Sequence, residues 1–201
     1  MDELHSARRR RGARERILKA ATELFTAQGI NATGMEQLST AAAVSKRTLY
    51  AHFSSKDDLV VAYLSTLRGG LLPALPGSDQ PSRSPREQLL AVFDWKPPQS
   101  VAPVRGCPFL NVSVEVPDPG RPAHQLVAAH KREFARRLSE IARQAGIAAP
   151  EVLGEQLALL YDGAAARGTV LNSRHTGACA RSIAESLIDA ALAGADTTSE
   201  R

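Results

Sequence analysis

Residues 30–59 read INATGMEQLSTAAAVSKRTLYAHFSSKDDL, from Ile30 to Leu59. Thr33-Gly-Met-Glu36 has the spacing of a capping box, with Thr33 at the N-cap and Glu36 three residues on. Met35, Leu38, Ser39 and Ala42 then give a short helix one buried stripe. Ser45 is a good N-cap for another helix, which carries Leu49 and Phe53 inward. Only Ala43 and Val44 lie between the two. Two short helices around so tight a turn make a helix-turn-helix. On one side, residues 13–28 form an amphipathic helix with Ile17, Leu18, Ala21, Leu24 and Phe25 inward, and Gly29 ends it. On the other, Ser54 or Ser55 caps a helix from Lys56 to about Leu72. Its apolar face is Leu59, Val60, Tyr63, Leu64 and Leu67.

Further out the pattern stays helical. Residues 73–85 are a loop by their Pro, Gly and Ser content. A helix follows from Arg86 to about Trp95, and residues 97–108 with four prolines are loop again. In residues 109–116 the alternation of Val112, Val114 and Val116 reads as a strand. A helix with Pro108 in its first turn and Pro117 after its end reads equally well. A single strand has no partner elsewhere, so helix is preferred. Helices are expected over 123–145, ended by Gly146, over 150 to about 170, and over 178–193. The last two are apolar on more than one side. Val152, Gln156 and Leu159 lie off the main stripe of one, and Ile183, Leu187 and Ala191 widen that of the other. A stripe wider than one core face implies a second partner, and these six residues are the expected interface of a homodimer.

The chain has 201 residues with 43% hydrophobic and 23% charged, which excludes a disordered chain and a membrane protein. Aromatics are only 4%, so the core rests on Leu, Val, Ile and Ala and favours an all-α fold. Of 25 basic residues ten fall in residues 1–60, against seven acids there; the remainder is nearly neutral. A basic N-terminal third points to a polyanion partner. The two cysteines, Cys107 and Cys179, form no CxxC, and the start carries no apolar signal segment. The expected location is a reducing cytoplasm, without a membrane.

The segment Ile30 to Leu59, with Arg16 to Gly29 before it, resembles the signature of TetR-family transcriptional regulators. The resemblance covers roughly residues 12–65 without a gap. It is looser at Arg105-Gly-Cys-Pro-Phe-Leu-Asn-Val-Ser-Val-Glu115 and Gln156-Leu-Ala-Leu-Leu-Tyr-Asp-Gly163. It implies a helix-turn-helix DNA-binding domain over residues 12–55, preceded by a flexible basic arm over 1–11. A larger helical effector-binding and dimerisation domain follows over 56–193, with a tail over 194–201. The implied protein is a repressor that binds palindromic double-stranded operator DNA as a homodimer and is released by a small organic effector. One departure is Ala43, where the family usually has Gly. If φ is positive there, Ala costs about 1 kcal/mol.

A recognition helix puts its N-terminal residues into the major groove, which here are Ser45, Lys46, Arg47 and Thr48. Arg47 has the geometry to bind guanine O6 and N7 together. Tyr50 and His52 resemble the family's phosphate-contacting positions. Thr33 and Lys56 start helices, where free N–H groups favour phosphate. Arg8, Arg9, Arg10 and Arg11 suit the DNA backbone or a minor groove.

The effector candidates are Phe93, Trp95, Phe109, Asn111, Glu115, His130, Phe134 and Tyr161, set against plain core packing. Scarce aromatics are a costly choice for filling alone, and Asn111 and Glu115 share a helix face if residues 109–116 are helical. Cys107 reads first as a buried, inert thiol; redox or electrophile chemistry there is the other reading. His175 and Cys179 are only two ligands, too few for a metal site. No cofactor is expected, and no serine elbow, carboxylate dyad or P-loop supports an enzyme. Control by a protein partner, and an enzyme with a basic tether, remain as alternatives.

Overall fold

The computed structural model describes residues 2–71, 83–94 and 104–196. Among these every regular element is an α-helix. In chain order they are α1 (Asp2–Gln28), α2 (Met35–Ala41), α3 (Lys46–His52), α4 (Lys56–Leu71), α5 (Pro85–Ala91), α6 (Pro108–Glu115), α7 (Pro122–Gln144), α8 (Pro150–Val170) and α9 (Thr176–Asp196). The all-α expectation holds, and so does the choice of helix over strand for residues 109–116. The expected tail at 194–201 overlaps the end of α9; residues 197–201 lie outside the described residues.

Three features differ from expectation. α1 begins at Asp2, so the residues read as a flexible arm continue the first helix. They are good helix formers such as Leu, Ala, Arg and Glu, with no proline among them. α2 is capped by Gly34, with no side-chain cap, and not by Thr33. The Thr33 hydroxyl instead donates to the Gly29 carbonyl at 2.7 Å. α5 stops at Ala91, short of Trp95, which lies outside the described residues. Its start is a complete capping box between Ser84 and Glu87, with Pro85 at the first helical position.

The turn after α2 is a Schellman motif. The Ala43 N–H donates to the Thr40 carbonyl and the Val44 N–H to the Ser39 carbonyl, each at 3.0 Å. Ala43 sits at φ 50°, the left-handed region that favours glycine. α7 and α8 end the same way, with Gly146 at φ 78° and Asn172 at φ 47°. Of the three residues at these positions, alanine is the one least suited to the left-handed region. The Arg16 Nε supports the turn by donating to the Ala42 carbonyl at 3.1 Å.

Two compact units result. The first comprises residues 1–67 and 111–127, the second residues 68–110 and 128–201. The boundary expected at residue 56 thus falls inside the first unit, because α4 packs with the helix-turn-helix. Its core holds Ile17, Ala21 and Phe25 of α1, Leu38 of α2, Leu49 of α3 and Leu59, Tyr63 and Leu64 of α4. Phe25 meets Tyr63 edge-on at 5.4 Å. Truncating a fully buried leucine such as Leu49 removes about 2–5 kcal/mol, more than any surface pair here supplies.

In the second unit Leu89, Leu90, Val92 and Phe93 pack with Phe134, Leu138 and Ile141 of α7, Leu153 and Leu157 of α8, and Ala180, Ala184 and Ile188 of α9. A Cβ on Gly154 would lie 2.8 Å from the Ser139 amide nitrogen, so α7 and α8 meet in close backbone contact there. Arg86 ties α5 to α9 through Asp189 at 2.7 Å and Glu185 at 3.0 Å. No described helix is long and apolar enough to cross a membrane.

The Ala43 conformation generates a direct test. Ala43→Gly relieves the left-handed cost, offset in part by the greater freedom of glycine in the unfolded chain, and should stabilise the protein by about 1 kcal/mol. Urea unfolding of the two proteins measures it.

Candidate functional site

α3 is short because Ser45 caps one end and Phe53, buried, closes the other. The Ser45 Oγ accepts the Thr48 N–H at 3.0 Å and lies 2.8 Å from the Thr48 Oγ1. These two candidate DNA residues therefore hold the start of the helix. Leu49 turns inward, which leaves Lys46, Arg47 and Tyr50 on the exposed side; Tyr50 is 50% exposed. Lys46 pairs with Glu36 at 3.1 Å, both well exposed. Such a surface pair contributes about 0–1 kcal/mol, so it yields to a phosphate or a base edge.

The remaining candidates on this unit divide. His52 is half-buried. Thr33 is fully buried, accepts from Gln28 Nε2 and spends its hydroxyl on Gly29, so it is removed as a phosphate contact. Arg8, Arg9, Arg10 and Arg11 lie on the extended α1. Lys56 begins α4, where burial pushes its ammonium pKa down against the opposing pull of Glu115 and Asp57.

Glu115 is not an effector residue by its position. The Asn31 N–H donates to the Glu115 Oε2 at 2.7 Å, and the Asn31 side chain donates to the Glu115 carbonyl at 3.1 Å. Its own helix ends at the first unit, and so does Asn111, which belongs to that unit rather than with the aromatic candidates. Arg121 completes this junction, donating from Nε to Asp57 at 2.9 Å and from Nη2 to the same carboxylate. The ion pair raises the Arg121 pKa. His124 Nδ1 lies 2.9 Å from the Val116 carbonyl. The sequence reading missed Asp57 and Arg121, which are 64 residues apart and carry no local motif.

A double-mutant cycle tests this pair. On thermal unfolding, Asp57→Arg and Arg121→Asp should each destabilise, and the swapped pair together should recover part of the loss. Additive losses would show that the pair carries no coupling.

The second unit gathers most of the other candidates. Tyr161 meets Phe134 at 5.0 Å and Phe93 at 6.3 Å. Phe109 and His130 stack at 3.7 Å, both buried. Beside them stand polar residues that the sequence reading did not select. Lys131 Nζ pairs with the Asp162 carboxylate and lies 3.7 Å from the Cys107 Sγ. Helical spacing does not select them, since Lys131 and Asp162 directly follow His130 and Tyr161 and neighbours in sequence point to different faces of a helix. Cys107 is buried and Cys179 exposed, both free thiols. Among the described residues no cluster of three metal-ligating side chains occurs.

Burial, with the Cys107 and Asp162 charges, pushes the Tyr161 hydroxyl from 10.0 up to about 12. Above pH 10 the unfolded chain has lost this proton and the folded chain keeps it. Stability from Tyr161 is thus full below pH 10 and is lost as pH rises to about 12. Tyr161→Phe should flatten that loss in unfolding curves taken across the window.

The dimer candidates divide as well. Val152, Leu159 and Ile183 are exposed at 58%, 65% and 46%. Gln156 is exposed beside them. Leu187 and Ala191 instead pack against the core of the second unit, because α9 turns its Ala184–Ile188 face inward.

Comparison with known proteins agrees with this architecture. Residues 17–63 match the family model described as bacterial regulatory proteins, tetR family. The chain is 35% identical over 89 residues to the transcriptional regulator TcmR of Streptomyces glaucescens and 37% identical over 86 residues to the transcriptional activator FasR of Mycolicibacterium smegmatis. These matches cover 43% and 41% of this chain and 39% of each relative's length. A solved structure from Streptomyces avermitilis, described as a TetR transcriptional regulator, is 37% identical with a TM-score of 0.78, covering 89% of this chain and 97% of its own. The helix-turn-helix, the helical second unit and this likeness over nearly the whole length together place the chain in the TetR family of DNA-binding transcriptional regulators.

Proposed function

We propose that the protein is a cytoplasmic repressor, a homodimer on a palindromic operator, released when a small organic ligand binds its second unit. The observation that carries the DNA reading is α3 itself. Its buried Leu49 and capped start leave Lys46, Arg47 and Tyr50 outward on one rigid helix. Lys46 and Arg47 read bases, Tyr50 and His52 hold phosphates, and Arg8 to Arg11 extend the basic contact along α1. Ser45 and Thr48 act mainly by fixing the helix start, and Lys56 adds charge at the start of α4.

The exposed Val152 and Leu159 of α8 and Ile183 of α9 support the homodimer, since these two helices pack together and their exposed apolar side chains offer a face that a copy of the chain covers. A dimer must hold its two recognition helices about 34–36 Å apart to meet successive major grooves. The effector class is apolar or mixed, matched to the Phe93, Phe109, His130, Phe134 and Tyr161 group. It must favour the form that cannot bind DNA, because equal affinity for both forms shifts nothing. In the first unit, Glu115 and Arg121 hold Asn31 and Asp57, which flank the helix-turn-helix.

Two experiments test the reading. Selection of bound fragments from the source genome at near-physiological salt should recover one palindromic site. Recovery of random DNA, with affinity collapsing as salt rises, would leave phosphate contacts alone. On the recovered site Arg47→Ala should cost about 1–3 kcal/mol and relax one base position. Equal losses on all sequences would make Arg47 a phosphate contact.

A further inference from the structure

We propose that Arg14, seated on the ring of Phe53, is a contact to the DNA backbone, and that with His52 it receives one phosphate beside the C-terminal end of α3. This role rests on α3 lying against DNA, and it adds a residue outside the run Arg8 to Arg11. Within the first unit a recess of about 530 Å³ opens between α1, the end of α3 and one face of α4. Arg14 lines it from α1, His52 and Phe53 from the end of α3, and Asp58, Val61 and Ser65 from α4.

The charges in this recess favour an anion. Arg14 is exposed, and its guanidinium lies 5.4 Å from the centroid of the Phe53 ring. Among the described residues neither the Arg14 nor the His52 side chain has an ion pair or a hydrogen bond. Other cations of this unit are committed. Lys19 pairs with Glu23 at 3.9 Å, Lys46 with Glu36 at 3.1 Å, Arg121 with Asp57, and Arg16 donates to the Ala42 carbonyl. The acid of the recess is committed too. Asp58 accepts from the Ser55 N–H at 3.1 Å and from the Ser54 hydroxyl, and its own N–H donates to the Ser55 Oγ at 3.1 Å. The Ser65 and Thr66 hydroxyls turn back onto the carbonyls of Val61 and Tyr63 at 2.7 and 2.6 Å. Arg14 and His52 are the donors left for a ligand.

Position favours a backbone phosphate over a base. α3 has seven residues and is about 10 Å long. The major groove is about 12 Å wide. With the start of α3 at the base edges, its other end reaches the rim of the groove, where the phosphates run. Half-buried Val61 and Ala62 line the same recess and suit the apolar edge of a deoxyribose. The Phe53 seat orders the guanidinium before DNA arrives, so less side-chain freedom is lost on binding. Arginine fits this seat better than lysine, because its planar group stacks on a ring and still presents a fork to phosphate oxygens. Such a contact fixes the register of the protein on the duplex and reads no sequence.

The test is a salt series of binding to a short duplex of mixed sequence, followed by fluorescence anisotropy on the full-length protein. Log affinity should fall linearly with log salt, and Arg14→Ala should make that slope shallower by about 0.9 for each bound copy of the chain. Arg14→Lys keeps the charge, so it should keep the slope and bind more weakly at every salt. Lys19→Ala removes a charge from α1 outside the recess and should leave the slope unchanged. An unchanged slope in Arg14→Ala would overturn the proposal. So would an equal loss in Lys19→Ala, which would mean that overall charge alone is read. Arg14→Lys matching the unaltered protein at every salt would remove the Phe53 seat, and it decides this even if Arg14→Ala misfolds. Absence of salt-dependent binding by the unaltered protein would overturn the DNA reading itself, whereas binding with an unchanged Arg14→Ala slope overturns only this contact.

Discussion

The outward face of α3 depends on a backbone turn of two residues. Ala43 is held in a left-handed conformation by hydrogen bonds from its own amide and from Val44 back into α2. A Cβ there costs about 1–2 kcal/mol, and the surrounding contacts outweigh it. Leu38 and Leu49 are buried on either side of the turn, and Arg16 caps the Ala42 carbonyl from α1. Hydrophobic burial of several kcal/mol thus enforces an angle that the local residue opposes. The direction in which α3 presents Lys46 and Arg47 follows from that angle.

The same logic extends outward from the turn. Asn31 and Asp57 lie just outside the helix-turn-helix, and Glu115 and Arg121 hold them. Both contacts are polar and partly exposed, so each is modest in energy. They act by direction rather than strength. A hydrogen bond and a bidentate ion pair fix orientation within narrow angles, whereas an apolar contact would let the helices slide. The end of α6 and the start of α7 therefore belong to the first unit.

The second unit mixes aromatic and charged side chains. Phe93, Phe134 and Tyr161 meet, Phe109 and His130 stack, and Cys107, Lys131 and Asp162 stand beside them. Charge and apolar surface share one region, which raises the Tyr161 pKa and shields the lysine. Such a mixture is a poor choice for stability alone, since an ion pair of this kind costs desolvation.

The sequence determined the helices and which residues of α3 face outward. Apolar spacing near 3.6, cap residues such as Ser45 and Ser84, and the Gly29 and Gly146 stops act over a few residues, so they are written locally. The residues of α3 were legible for the same reason, because burying Leu49 and Phe53 fixes what faces out. Other features were decided only by tertiary structure. Thr33 has the composition of a cap, yet burial turned its hydroxyl to Gly29 and left Gly34 to start α2. Glu115 shares a helix face with Asn111, yet its carboxylate is taken by Asn31, 84 residues away. Leu187 and Ala191 belong to a wide apolar stripe, and packing leaves them half-buried against the core of the second unit. The partners of Arg121 and Lys131 lie 64 and 31 residues distant. Local periodicity fixes which face of a helix is apolar. It does not fix which neighbour that face meets, because that is set by packing among elements that the chain brings together only once folded.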